Sequence, residues 1–269
     1  MESTIWQEIE ALHQKFVKLG IGDEVDYEKY HLYSLITHST AIEGSTLTEI
    51  ETQLLFDEGI TAAGKPLVYH LMNEDLKNAY EWARQEAKQK TPVTPSLLQT
   101  LNAKLMRTTG SLYNVLNGSF DSSKGEYRLC GVTAGAGGKS YMNYKKVPSK
   151  VAELCSHLQE RLDAATTLRE KYELSFNAHL NLVTIHPWID GNGRTSRLLM
   201  NYIQFLYDIF PTKVFKEDRE GYIVSLRQSQ DEDNNHPFLV FMAEQAKKSL
   251  SLEIDRFHAS RDRGFSFLF

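Results

Sequence analysis

The feature that most restricts this chain is how little in it stops a helix. Seven prolines and sixteen glycines are spread over 269 residues, and the glycines bunch in a few places. Between them, apolar residues recur every three or four positions and seldom alternate, which is the spacing of amphipathic helices. Ile5, Ile9, Leu12, Phe16 and Leu19 mark a first helix that stops at Gly20. A second is predicted over 27–42, with Tyr30, Tyr33, Leu35 and Ile36 among its apolar positions and Glu43-Gly44 at its end. Thr46 and Glu49 have the spacing of a capping box and open a third. Further helices are predicted over 66–88, from the Thr91–Pro95 linker to about 108, and over 148–164, 168–185, 193–208, 217–230 and 237–257. The fold class is mainly α.

Residues 113–144 break the pattern. Glycines 118, 125, 131, 135, 137 and 138 interrupt any helix. Glu126–Thr133 and Lys139–Met142 flank Ala134–Gly138 like two short strands around a turn, so one β-hairpin is expected there. A lone hairpin needs a helical body to support it.

Composition narrows the class. A net charge of −5 speaks against a general nucleic-acid binder. Two cysteines, Cys130 and Cys155, make no disulfide framework and no zinc pair, which favours a reduced, cytoplasmic setting. The start, MESTIWQEIE, lacks the basic and apolar regions of a signal peptide, and no apolar run nears the roughly 20 residues of a membrane span. A soluble, intracellular protein is expected.

One stretch carries chemistry: His186-Pro187-Trp188-Ile189-Asp190-Gly191-Asn192-Gly193-Arg194-Thr195-Ser196-Arg197, followed by an apolar helical run. Taken singly its parts are ordinary. A histidine after an apolar helix is commonly a core residue, Gly-Asn-Gly is commonly a turn, and two arginines three apart commonly face solvent. Together they suit a polyphosphate. The loop runs into a helix N-terminus, whose free amides favour an anion. Gly191 and Gly193 allow close backbone approach, and Arg194 and Arg197 offer paired donors. Asp190 suits Mg²⁺, which takes one or two carboxylates beside phosphate oxygens and water. His186 can take a proton from an incoming hydroxyl.

The stretch resembles the signature of the Fic family (filamentation induced by cAMP), His-Pro-Phe-x-Asp/Glu-Gly-Asn-Gly-Arg-x-x-Arg. Trp188 stands where the family usually has Phe, and that side chain is expected to pack inside the fold. The likeness extends over about residues 27–246. It implies a helical fold and transfer of AMP from ATP to a Ser, Thr or Tyr hydroxyl of a protein, or of the enzyme itself. Carried over, His186 is the general base, Asp190 holds Mg²⁺, and Asn192 with the Gly191 and Gly193 amides forms an anion hole. Arg194 and Arg197 hold the β- and γ-phosphates. Gly125-Glu126-Tyr127-Arg128 matches the segment before the family's flap, so the hairpin near 126–142 would receive the target by strand addition. Val132, Thr133, Ala134 and Gly135 would edge the nucleotide, and Tyr222 and Gln230 correspond to positions beside the adenosine, although Tyr222 also reads as a core aromatic.

Ser39-Thr40-Ala41-Ile42-Glu43-Gly44 resembles the family's inhibitory motif, Ser/Thr-x-x-x-Glu-Gly/Asn. It also reads as a helix end with a C′ glycine at Gly44. The resemblance implies that Glu43 pairs with Arg197 in place of the γ-phosphate. On this basis residues 1–105 form a helical region carrying the inhibitory motif, 106–246 the catalytic core, and 247–269 a helix end and tail, packed as one unit. Two other activities stay open: hydrolysis of AMP-protein with Glu43 orienting water, and nucleotide sensing without turnover. A nucleotide donor other than ATP and a homodimer also stay open, and neither a membrane nor a nucleic-acid partner is expected.

Overall fold

The computed structural model describes residues 2–24, 26–133, 138 and 140–262. Among them the order is α1 (Glu2–Lys18), α2 (Tyr27–Ile42), α3 (Glu49–Glu58), α4 (Leu67–Lys88) and α5 (Pro95–Leu105), then β1 (Leu112–Val115) and β2 (Gly118–Asp121). After these come α6 (Val147–Leu162), α7 (Leu168–Ile185), α8 (Asn192–Leu206), α9 (Arg219–Asp231) and α10 (His236–Asp262). The mainly helical class holds.

Helix α8 is the axis. From Asn192 to Gln204 every residue but Gly193 is buried, as expected of a helix with neighbours on all sides. It packs against α7, α4, α5 and α2, while α10 lies against α1, α9 and α7. One apolar cluster joins α2, α4, α5, α6, α7 and α8 through residues such as Ile36, Leu76, Leu101, Val151 and Leu198. A second joins α1, α2, α7, α8, α9 and α10 through Ile9, Ile42, Phe176, Met200, Tyr222 and Phe238. Helices α2, α7 and α8 serve both clusters, so the Ser39–Gly44 segment and the signature loop are fixed in one frame.

Three expectations need correction. The capping box that opens α3 is Thr48 with Glu51, not Thr46 with Glu49. The regular hairpin is β1–β2, in antiparallel register Tyr113↔Phe120, and it lies N-terminal to the expected one. Across the strands the Tyr113 and Phe120 rings stack at 5.3 Å, and Leu116-Asn117 turn the chain into Gly118, whose φ is +125°. The 126–142 region shows one antiparallel bridge, Thr133↔Ser140, and a bond from Tyr141 N to Val132 O. Finally, the Thr91–Pro95 segment is no loose linker: Val93 is buried and its N–H donates to Gln159 Oε1 on α6.

Candidate active site

The signature loop begins where α7 ends. His186 takes the C-cap position in the left-handed region, φ 53° and ψ 63°, an uncommon place for a residue with a side chain. Four devices hold the loop. Trp188 is fully buried, and its indole Nε1–H donates to Gly125 O at 2.9 Å. The Asn192 amide clasps the Trp188 backbone, accepting from its N–H at 3.0 Å and donating to its carbonyl at 2.9 Å. Gly191, the N-cap of α8, has φ +79°, and a Cβ there would meet Asn102 Nδ2 at 2.8 Å and Leu105 Cδ2 at 2.9 Å. The buried Arg128 guanidinium donates to three carbonyls: His186 O at 2.8 Å, Cys130 O at 2.7 Å and Met142 O at 2.6 Å.

Because the Asn192 side chain is committed to Trp188, its offer to an anion is its backbone N–H in the first turn of α8. Arg194 lies in the same turn, 3 % exposed, and its Nε and Nη1 make no hydrogen bond. Its Nη2 stands 3.5 Å from both Asp190 Oδ1 and Met106 Sδ. A buried cation with unused donors at a helix N-terminus is a site for an anion. Asp190 is exposed and accepts from Gly191 N at 2.5 Å. Among the described residues no three His, Cys, Asp or Glu side chains gather to hold a metal. A lone exposed carboxylate therefore fits an ion that takes its other ligands from phosphate oxygens and water, as Mg²⁺ does.

The surroundings of His186 leave one ring nitrogen able to accept a proton. Its Nδ1 lies 3.3 Å from Val183 O, and a carbonyl can only accept, so Nδ1 carries the proton and the lone pair is on Nε2. Burial, helped by the positive charge of Arg128, pushes its pKa down to about 4 against the opposing pull of Val183 O, Glu43 and Asp190. The imidazole is neutral at pH 7. Its face is covered by Tyr141, with ring centroids 3.7 Å apart and planes 13° from parallel.

Arg197 is 2 % exposed and already engaged. Its Nε donates to Ser39 Oγ at 2.8 Å, and Nη2 donates to Ser39 O at 2.9 Å and Glu43 Oε1 at 2.6 Å. Nη1 reaches Tyr222 OH at 3.3 Å. That hydroxyl, accepting from Arg197, also shares a hydrogen bond with His179 Nε2 at 2.9 Å. Burial and the Arg197 charge keep His179 neutral. Burial works against the Glu43 charge, but Arg197, with Arg194 and Arg219, outweighs it and holds the carboxyl below its usual range. Glu43 also leans on the backbone of the loop: a Cβ at Gly193 would stand 2.5 Å from its Oε1. The carboxylate thus lies over the first turn of α8, against a position that only glycine leaves open. Gly44 follows with φ +102°, the C′ glycine of α2, and Arg219 Nε donates to Ile42 O at that helix end. The C′ glycine and the Glu43–Arg197 pairing thus occur at the same helix end.

His186, Asp190, Gly191, Asn192, Gly193, Arg194 and Arg197 converge with Ser39, Glu43 and Tyr222. Gln230 is bonded to Thr184 Oγ1 at 3.0 Å, two residues before His186. Val132 and Thr133 lie on the bridged segment beside Tyr141, while Ala134 and Gly135 fall outside the described residues. Four contributors escaped the sequence reading. Arg128 was seen only as part of a matching segment, and Asn102, His179 and Tyr141 were not singled out. Asn102 Nδ2 donates to Thr195 Oγ1 at 3.1 Å and reaches Asp190 O at 3.4 Å.

Comparison with known proteins finds relatives in sequence and in fold. The protein adenylyltransferase Fic of Drosophila grimshawi is 28% identical over 247 residues, 91% of this chain and 46% of that protein. The chain thus spans about half the length of the curated relatives it matches. A Fic domain containing signaling protein from Bacteroides thetaiotaomicron superposes with a TM-score of 0.78 at 23% identity, covering 97% of this chain and 99% of that one. Fic-1 of C. elegans superposes with a TM-score of 0.78 at 20% identity, covering 96% and 73%. Residues 92–204, from just before α5 through the signature loop and most of α8, match the model of the Fic/DOC family.

Proposed function

We propose that this chain transfers AMP from ATP to a protein hydroxyl and is held inactive by its own Glu43. In the forward reaction the target oxygen attacks the α-phosphorus, the bond from that phosphorus to the β-phosphate oxygen breaks, and pyrophosphate leaves. The proton of the attacking hydroxyl goes to His186 Nε2, whose lone pair is free because Nδ1 is bonded to Val183 O. The first-turn amides of α8 and the unused donors of Arg194 suit the phosphate charge. Asp190 would hold Mg²⁺, which neutralises phosphate charge when bound. The name of the curated relatives, protein adenylyltransferase, supports the reaction class.

The observation that carries the inhibitory part is the Arg197 guanidinium, with four hydrogen bonds to Ser39, Glu43 and Tyr222. A γ-phosphate seeking Arg197 must displace Glu43, so ATP is left with an unproductive pose. Incubation with labelled ATP, Mg²⁺ and a lysate tests both claims. Glu43→Gly is expected to raise labelling about 10- to 100-fold, the weight of one charge-assisted hydrogen bond. Adding His186→Ala should return it to background. Labelling unchanged by the first substitution removes the lock, and labelling that survives the second removes the base.

A further inference from the structure

Tyr141 lies outside the signature loop, yet it makes the closest ring contact with the proposed base. Its ring lies almost flat on the His186 imidazole at 3.7 Å, whereas pairs elsewhere, such as His31–Phe210 at 4.9 Å, stand further apart. Aromatic pairs usually prefer offset or edge-on arrangements with centroids about 4.5–7 Å apart, so this contact is imposed by its surroundings. The backbone shows how. Tyr141 N donates to Val132 O at 3.0 Å, beside the Thr133↔Ser140 bridge. The next carbonyl, Met142 O, accepts from Arg128 Nη2, and the same guanidinium holds His186 O. Arg128 therefore ties the backbone of His186 to that of Met142, the residue that follows Tyr141.

The imidazole has few ways to turn. Its Nδ1 edge is fixed on Val183 O and one face is fixed under Tyr141, so rotation requires the tyrosine to leave. What remains free is the Nε2 edge. The geometry points to Tyr141 as a positioning residue for His186: its ring sets the plane of the imidazole and keeps water off one face. The strand that pairs with Val132 thus also aims the base. A target segment that adds to this bridged pair tightens the same backbone bonds and holds the ring in place. This rests on the proposed transfer reaction for its consequence, but the stack itself does not.

The test uses the Glu43→Gly chain with Tyr141→Phe or Tyr141→Ala added. Tyr141 lies outside both apolar clusters, so neither change removes core. Phe keeps the stack and should hold kcat within about twofold; Ala should lower kcat roughly tenfold or more with the KM for ATP little changed, because rate is sensitive to small misplacement. In Ala the acid limb of the pH profile should move up towards the ordinary imidazole range, since water regains the ring. Proton NMR gives a readout independent of turnover. The His186 ring protons should be shifted upfield by the overlying ring in the parent and Phe proteins, and lose that shift in Ala. Unchanged kcat and ring shifts in Ala overturn the proposal. So does a higher kcat in Ala, which would make the ring a cover, or a Phe variant as impaired as Ala, which would place the effect in the hydroxyl. If Glu43→Gly alone transfers nothing, the reaction assignment fails, and the ring shifts still decide the stack.

Discussion

A buried guanidinium must find partners for its charge, and Arg197 finds them on two other helices. Ser39 supplies two of those bonds, one from its hydroxyl and one from its carbonyl. Removing the hydroxyl alone should loosen the lock without dismantling it. Ser39→Ala is expected to raise labelling about fivefold, the equivalent of about 1 kcal/mol for one hydrogen bond, and so less than Glu43→Gly does. Initial rates at one ATP concentration check the order of the three proteins. At this scale the sequence was most legible. The residue types from His186 to Arg197 carry their chemistry on their face, and Trp188 is packed inside as expected. Arg128 was not legible in the same way, because its three carbonyl partners are brought together only by the folded chain. The same holds for Asn102, which reaches Thr195 across 93 residues.

Elements were legible wherever apolar periodicity was strong. Helices α4, α7 and α8 fall within about two residues of their expected bounds, because each has a long buried stripe or is buried all round. The errors lie where local signals were degenerate. Thr46-x-x-Glu49 and Thr48-x-x-Glu51 both spell a capping box, and only the backbone at Thr48 places a side chain on the N3 amide. The glycine-rich 126–142 segment alternates on paper, and among its described residues the pairing is a bridge and one adjoining bond. One buried contact decides how the element that bears Glu43 is seated. Lys213 Nζ, fully buried, donates to Ser34 Oγ on α2 at 3.0 Å and pairs with Glu253 on α10 at 3.2 Å. Lys213→Met leaves the Glu253 carboxylate buried with Arg256 at 3.5 Å and His31 at 3.7 Å. We expect a loss of about 3 kcal/mol in chemical denaturation, the low end for breaking a buried pair, with partial recovery in Lys213→Met/Glu253→Gln.

The whole molecule buries several histidines in neutral form. Burial lowers the pKa of His31, His179 and His186, the last to about 4, from an ordinary 6.5. The unfolded chain therefore binds more protons than the native one once pH falls through 6.5, and stability falls with it. Two carboxylates add to the trend lower down. The His38 and Ser34 bonds, opposed by burial, take Glu49 to about 2; for Glu253, burial is outweighed by His31 and Lys213, and it too lies at about 2. Their contribution is present above the ordinary 4.5 and is lost as pH falls towards 2. Thermal unfolding across pH should show a plateau near neutrality, a decline beginning near pH 6.5 and a steeper one below 4.5. A midpoint flat from pH 7 to 5 would contradict the buried neutral histidines.

The pairing of Glu43 with Arg197 joins residues 154 positions apart on one chain. If Glu43 is the proposed lock, it is in kinetic language a tethered competitor, whose effective concentration at the arginine is fixed by the seating of α2 and not by the amount of protein present. Its occupancy is a first-order equilibrium. Dilution leaves it unchanged, and a soluble competitor must reach a concentration comparable with that local value before it displaces the carboxylate. An event that tilts α2 lowers that local value directly, and so acts as a far smaller signal than a rise in nucleotide would need to be.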